Sequence, residues 1–336
     1  MPKIAGFEIE GWEQKFLQEK LGSHFELTFS EKKLTAEDLE KIKDVEGLII
    51  FINSPITKDV LEKLPNLKFI TTMSTGFDHI DLAACKEKNI TVCNVAGYGE
   101  ITVAEHTFAL ILGIARRIVE SDARVKDGLF SPEGLTGFDL AGKTLGVVGV
   151  GSIGKHVIEI AHGFKMNVIG YKRSPDPELE KELNFKIVDM DTLLKTSDII
   201  SLHVPYVPEL QHMINDEAFA KMKDGVVIIN TSRGGLLDTK ALLKYVENGK
   251  VRGVGLDVCE DEPALKEEKE LLSKEFNTES LMHILEEEML LHHKNVLITP
   301  HNAFNSREAL EMILNTTVEN IQGFINNSPV NLVKLA

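Results

Sequence analysis

The sequence predicts an α/β protein of two doubly wound parallel-sheet domains. Three observations carry that expectation. Short apolar runs alternate with amphipathic stretches from the N-terminus to Asn94 and again from Thr144 to Thr299. A long, almost wholly apolar helical stretch, Thr102–Arg117, separates the two series. A Gly-x-Gly-x-x-Gly turn, Gly149 to Gly154, lies between a strand pattern and a helical one. The length of 336 residues suits two cores better than one.

In the first series, Lys3–Phe7, Phe25–Phe29, Leu48–Ile52, Lys68–Thr72 and Ile90–Asn94 read as strands, being short apolar runs bounded by polar residues. Between them, Trp12, Phe16, Leu17 and Leu21 recur at helical spacing, Thr35 stands as an N-cap before Leu39 and Ile42, and Lys58–Leu64 and Asp81–Lys88 read as helices. Strands alternating with helices imply a parallel sheet covered on both faces. The 102–117 helix carries Val103, Phe108, Ala109, Leu110, Ile111, Leu112 and Ile114. A helix apolar nearly all round is buried between bodies, so a domain junction is placed just before it, with the other domain or a second subunit as its neighbour. A Gly-rich loop with Gly134, Gly137 and Gly142 follows. The second series then offers strands at Thr144–Val148, Asn167–Tyr171, Asp198–His203, Val226–Asn230, Val251–Asp257 and Asn295–Thr299. Residues 264–294 interrupt it with a Glu- and Lys-rich segment that reads as a solvated helical excursion. The last helix, Arg307–Ile325, is placed back on the first domain. The expected division is 1–98 with 305–336, and 99–304.

Composition bounds the function. The formal charge of −15 would repel a phosphate backbone, which argues against nucleic acid as partner. No apolar run approaches the roughly 18 residues that span a bilayer, and Met1–Glu10 has no apolar stretch of the secretory kind. Three cysteines at unrelated spacings, Cys85, Cys93 and Cys259, point to reduced thiols in a cytoplasm and to no metal site.

The turn Gly149-Val150-Gly151-Ser152-Ile153-Gly154 carries a dinucleotide reading because of its context. The first Gly makes the tight turn, the second lets the backbone approach a pyrophosphate, and the third allows close helix–strand packing. The anion then rests on the helix N-terminus. The end of the next strand usually carries an acid that holds the ribose of NAD. Here it reads Tyr171-Lys172-Arg173-Ser174. With the acid replaced by Lys172, and with Arg173 and Ser174 beside it, the strand end favours NADP over NAD.

Three further segments follow strands and supply an Arg, acids and a His: Asn230-Thr231-Ser232-Arg233-Gly234-Gly235, Gly255-Leu256-Asp257-Val258-Cys259-Glu260-Asp261-Glu262-Pro263, and Thr299-Pro300-His301-Asn302-Ala303-Phe304. Open α/β sheets bind ligands at such C-terminal strand ends. Together with Ser74-Thr75-Gly76-Phe77-Asp78-His79-Ile80-Asp81, Val103-Ala104-Glu105-His106-Thr107 and His203-Val204-Pro205, these motifs resemble the D-isomer-specific 2-hydroxyacid dehydrogenase family over nearly the whole chain. His203-Val204-Pro205-Tyr206-Val207-Pro208 and Asn302-Ala303-Phe304 resemble its D-lactate dehydrogenase branch most.

The resemblance implies two Rossmann-like domains, a flavodoxin-like substrate domain and an NAD(P)-binding domain, and a homodimer formed through the latter. It implies hydride transfer between NAD(P)H and C2 of a small 2-keto or D-2-hydroxy acid. Pyruvate and D-lactate are the leading pair, with glyoxylate or hydroxypyruvate reduction as the alternative. Arg233 would bind the substrate carboxylate and keto oxygen. His301 would serve as general acid in reduction and base in oxidation. Glu262 would pair with His301 and keep it protonated, with Glu260 as a rival for that role. Amides around Thr75 and Gly76 would cradle the carboxylate. Ser152, Ile153, Val204, Pro205, Thr231, Ser232 and Asp257 would line the dinucleotide, and Thr102 would touch its nicotinamide end. Tyr98 and Phe304 stand open between substrate contact and packing. His203 reads as shaping the cofactor pocket, whereas His79, His106 and His212 read as surface or satisfied polar residues. A non-catalytic dinucleotide-sensing module on the same fold is the reading from another class, and the Arg233, Glu262 and His301 set argues against it.

Overall fold

A computed structural model describes residues 1–260, 285–286 and 288–334. The chain divides into two units, Met1–Tyr98 with Asn305–Ala336, and Gly99–Phe304.

The first unit holds a parallel five-stranded sheet of β1 (Lys3–Gly6), β2 (Glu26–Phe29), β3 (Gly47–Ile50), β4 (Phe69–Thr72) and β5 (Thr91–Cys93). Its order, β2-β1-β3-β4-β5, is the flavodoxin-like one. Every residue of β3 and β4 is buried, as expected of central parallel strands with both faces covered. The Lys58–Glu62 helix begins at Thr57, whose hydroxyl oxygen accepts from the Val60 amide, and the Leu82–Glu87 helix begins at Asp81, which accepts from the Ala84 amide.

The Arg307–Ile325 helix belongs to this unit. Its Phe324 stacks on Phe69 of β4 with ring centroids 4.8 Å apart. Fully buried Asn320 donates to the Thr71 hydroxyl (3.1 Å) and the Asn94 carbonyl (3.0 Å), and accepts from the Asn331 amide group (2.8 Å). A satisfied buried amide of this kind fixes the helix in one register.

The second unit holds a parallel seven-stranded sheet. Its strands are β6 (Thr144–Val148), β7 (Asn167–Tyr171), β8 (Lys186–Ile187), β9 (Ile199–Leu202), β10 (Val226–Asn230), β11 (Val251–Leu256) and β12 (Val296–Ile298). The order is β12-β11-β10-β9-β6-β7-β8. The chain steps outward from β6 to β8, then returns to the other side of β6, which makes the gap between β6 and β9 the topological switch point.

Two expectations are corrected, the partner and the end of the apolar helix, and two elements are added. The apolar helix runs over Glu100–Ala115 and its neighbour is its own unit's sheet, since Ala104, Phe108, Leu110, Ile111 and Ala115 share a core with Leu145, Val147, Val227 and Ile229. An all-round apolar helix needs cover on each side, and a sheet with further helices provides it. The helix stops before Arg117 because Arg117 turns left-handed (φ 51°). A further helix, Ile118–Lys126, then occupies the stretch ahead of the Gly-rich loop. The two residues of β8 are too short to leave a period in the sequence. The 264–294 segment lies for the most part outside the described residues; within them Leu290 is buried in the core.

Candidate active site

The strand register sets out the site before any side chain is considered. Tyr171 of β7 pairs with Val148, Val148 with Leu202, Leu202 with Asn230, Asn230 with Leu256, and Leu256 with Ile298. These six residues form one row across the sheet at the ends of their strands. Lys172, Gly149, His203, Thr231, Asp257 and Thr299 are the next residues along. At about 4.8 Å per strand the row is about 24 Å long. Lys172 stands towards one end of it, and the loop of His301 at the other.

At the switch point, Gly149 has φ +99°, and a Cβ there would lie 2.5 Å from the His203 carbonyl oxygen. Only glycine fits. A Cβ on Gly154 would meet the Gly149 carbonyl at 2.2 Å, so the third glycine is set by helix–strand contact. Gly151 differs from both, because a Cβ there would meet nothing within 4 Å. It is the N-cap of the Ser152–Gly163 helix and has no side-chain cap. Open space in front of uncapped helical amides fits the pyrophosphate of a dinucleotide. Ser152 is exposed and Ile153 half-buried beside it.

The next strand end is fastened to this turn, since the Gly149 amide donates to the Tyr171 carbonyl (3.0 Å). Lys172 stands one residue on, but its ammonium is held by Asp176 at 2.5 Å. Arg173 and Ser174 are exposed.

On the other side of the switch, half-buried Val204 packs near Gly149, and Pro205 is exposed. His203 bonds through Nε2 to Ser201 Oγ (2.8 Å), while Nδ1 is shut from solvent with no partner among the described residues. Burial holds this imidazole below its ordinary range, in the neutral form.

The Arg233 turn follows β10. Asn230 braces it from both sides: its side-chain oxygen accepts from the Ser232 amide (3.0 Å) and its Nδ2 donates to the Arg233 carbonyl (2.8 Å). Ser232 Oγ donates to the Leu202 carbonyl (2.9 Å). Thr107 spends its hydroxyl proton on the Val103 carbonyl (2.8 Å), so buried Thr231, 3.1 Å away, is the donor to Thr107. Thr102 is half-buried one turn earlier on that helix. Gly234 lets the next loop approach, for a Cβ there would lie 1.9 Å from the Cys259 carbonyl.

Asp257 builds the other wall. Its side chain is 1% exposed. Its carboxylate accepts from Thr299 Oγ1 (2.5 Å) and from the amides of Asn302 (2.8 Å) and Ala303 (2.8 Å), and its backbone carbonyl accepts from the His301 amide (2.9 Å). One residue thus grips 299, 301, 302 and 303 and holds His301 in a left-handed conformation, φ 51°. Burial pushes the Asp257 carboxyl up. The bonds from His106, Thr299 and the two amides outweigh that and hold it below its ordinary value of 3.8. His106 Nε2 lies 3.5 Å from Asp257 and 3.0 Å from the Thr299 hydroxyl. The motif reading placed Asp257 against the dinucleotide. Its bracing of the His301 loop was not visible there, because it depends on how β11 and β12 pair.

Glu260 accepts from the Thr239 hydroxyl (2.8 Å) and is bonded to His212 Nε2. His212 is itself left-handed (φ 51°), and its amide donates to Gly235 (2.9 Å) in the Arg233 turn. The rival acid is therefore committed to bracketing that turn. Glu262 lies outside the described residues. Cys259 is half-buried, and burial pushes the Cys85 and Cys93 thiols up to about 11.

In the first unit, the Thr75 hydroxyl donates to the Val95 carbonyl (2.9 Å), Asn94 Nδ2 donates to the Thr75 carbonyl (2.9 Å), and Ser74 Oγ donates to the Gly76 carbonyl (2.6 Å). The loop after β4 is thus held by side chains on both of its flanks. Tyr98 is half-buried at the end of this unit, and Phe304, also half-buried, packs beside Gly99 in the second.

Fold and switch-point turn together define a dinucleotide-binding α/β protein. Residues 108–303 match the family described as "D-isomer specific 2-hydroxyacid dehydrogenase, NAD binding domain". The glyoxylate reductase of Thermococcus litoralis is 38% identical over 303 residues, covering 88% of this chain and 85% of that one. The D-lactate dehydrogenase of Escherichia coli K12 is 37% identical over 322 residues, covering 95% of each. The crystal structure of D-lactate dehydrogenase from Aquifex aeolicus, complexed with NAD and lactic acid, superposes with a TM-score of 0.85 at 38% identity, covering 97% of this chain and 96% of that one. The chain belongs to the D-isomer-specific 2-hydroxyacid dehydrogenase family and carries its NAD-binding domain.

Proposed function

We propose that the protein reduces pyruvate to D-lactate, with Arg233, Glu262 and His301 as its catalytic residues. The observation that carries this reading is the grip of Asp257 on the His301 loop, at the far end of the row from the phosphate turn. A residue held in a left-handed backbone by four converging bonds is pre-organised for one task. The Arg233 guanidinium binds the carboxylate and polarises the C2 oxygen through its fork of donors. Backbone amides at Thr75 and Gly76 add to the carboxylate site, and Tyr98 and Phe304 bound the substrate's small side chain. When bound, the reduced nicotinamide supplies the hydride that C2 accepts. His301 delivers a proton to the oxygen at C2, so that keto acid, hydride and proton give the hydroxy acid. Glu262 keeps His301 oriented for that delivery.

Gly149, Gly151, Ser152, Ile153 and Gly154 would hold the pyrophosphate of the dinucleotide, Val204, Pro205, Thr231, Ser232 and Asp257 would line it along the row, and Thr102 would meet its nicotinamide end. The Lys172-Arg173-Ser174 end supports use of NADP(H) at least as good as that of NAD(H). Similarity to a glyoxylate reductase supports glyoxylate or hydroxypyruvate as the alternative substrate.

Exposed Ile118, Val119, Val125, Leu129 and Phe130 (91% exposed) form an apolar stretch that supports homodimer formation through the second unit. Cys85 and Cys93, two buried thiols outside any disulfide, support a cytoplasmic location. Among the described residues no helix is long and apolar enough to cross a membrane. Steady-state rates on pyruvate, glyoxylate, hydroxypyruvate and longer 2-keto acids, each with NADH and NADPH, test the reading. Pyruvate is expected to give the highest kcat/KM, and a clear preference for glyoxylate or hydroxypyruvate would replace it with the alternative.

A further inference from the structure

The strand end after β7 lacks an acid at residue 172, yet a carboxylate returns four residues later. Asp176 is brought back onto Lys172 by the loop between them, with Asp176 Oδ2 2.5 Å from the ammonium. Its other oxygen accepts from the Leu179 amide (3.3 Å) and caps the Pro177–Glu182 helix, which fixes the side chain in place. Lys172 and Asp176 are each about one-third exposed (32% and 35%), so the pair stands at the solvent edge of the row rather than in the core. The Lys172 bond, the Leu179 amide and the field of Lys155 hold the Asp176 carboxyl below its ordinary value.

We propose that Asp176 is a specificity-determining residue for the 2′ position of the adenosine ribose, restraining Lys172 and opposing a 2′-phosphate. The inference rests on the cofactor reading given above. A phosphate monoester carries between one and two negative charges near neutral pH. To receive one, Lys172 must be shared with, or released by, a carboxylate already in contact with it, and that carboxylate stays charged beside the incoming anion. A free 2′-hydroxyl meets neither obstacle. Asp176 therefore tempers the NADP(H) preference set up by Lys172, Arg173 and Ser174, and keeps NAD(H) competitive. Partial exposure and salt screening limit the effect to a modest factor.

Asp176→Asn separates charge from structure, because Asn caps a helix as well as Asp does. Asp176→Ser, a second uncharged cap, guards against an idiosyncratic fold defect. Calorimetric titration of the full chain with ADP-ribose and with 2′-phospho-ADP-ribose reads binding without turnover. Both variants are expected to bind the 2′-phosphorylated ligand about 3- to 5-fold more tightly and ADP-ribose within about twofold of the parent. The gain should shrink in about 0.5 M salt, and in a Lys172→Ala background. No change for the 2′-phosphorylated ligand, or an equal change for both ligands, would overturn the proposal. The parent's own ratio of the two affinities, and its response to Lys172→Ala alone, tests the cofactor reading separately.

Discussion

Replacing Asp257 with Asn changes one oxygen to an amide nitrogen in a side chain that is 1% exposed. The oxygen that serves both Thr299 and Asn302 can be kept. The other then becomes an N–H facing the Ala303 N–H, which has donated to it at 2.8 Å. A buried donor left without its acceptor costs about 1–3 kcal/mol, and the remaining bonds lose the charge that roughly doubles their strength. The sum is about 2–4 kcal/mol. For a unit of about 200 residues this is a fall in Tm of about 5–15 °C. Relaxation of the 299–303 loop also lets the His301 ring move, and a displacement of about 1 Å at a reacting group lowers the rate about 10²-fold. Differential scanning calorimetry and keto-acid turnover at saturating cofactor measure both effects on one preparation. A Tm within about 1 °C of the parent together with kcat within about threefold would refute the claim that Asp257 holds the catalytic loop.

The same carboxyl fixes an acid limb of stability. Its folded pKa lies below 3.8, so its contribution is complete above the unfolded carboxylate range and is lost as pH falls through the depressed value. The Tm difference between parent and Asp257→Asn should therefore be constant above about pH 5 and shrink below about pH 4; a difference that grows on acidification contradicts the assignment. Glu260→Ala should loosen the Arg233 turn and raise KM for the keto acid several-fold, with Glu260→Gln partly restoring it; an unchanged KM for Glu260→Ala rejects the bracket. Lys172→Asp should lower the NADPH-to-NADH ratio of kcat/KM about tenfold or more, and an unaltered ratio would remove Lys172 from the cofactor site.

Much of the fold was readable because parallel strands buried on both faces leave continuous apolar runs. Thr144–Val148, Asn167–Tyr171 and Val226–Asn230 were bounded in the sequence as they are in the structure. Edges slipped where a polar residue flanks the run, as at Asp198 before β9, whose carboxylate accepts from the Thr144 amide (2.8 Å). The partner of the 100–115 helix was misjudged because hydrophobicity reports how much of a helix is covered and not by what. Within the site, the Gly149 turn declared itself through spacing. The brace from Asp257 to residues 299–303, the Glu260 bracket and the return of Asp176 to Lys172 did not. Each joins residues whose meeting is decided by register or by a loop's path, and neither is written in local composition. Glu262 rests on the motif alone.

The central claim is that this chain moves a hydride to C2 of a small 2-keto acid with D stereochemistry, using Arg233 and His301. The most direct measurement is chiral analysis of the product formed from pyruvate and reduced cofactor by the parent, His301→Ala and Arg233→Ala, with the variants confirmed as folded. The account predicts D-lactate from the parent and turnover lower by about 10²–10⁴-fold in His301→Ala, with a comparably severe loss in Arg233→Ala. L-lactate, or a folded variant turning over near the parent rate, would contradict it.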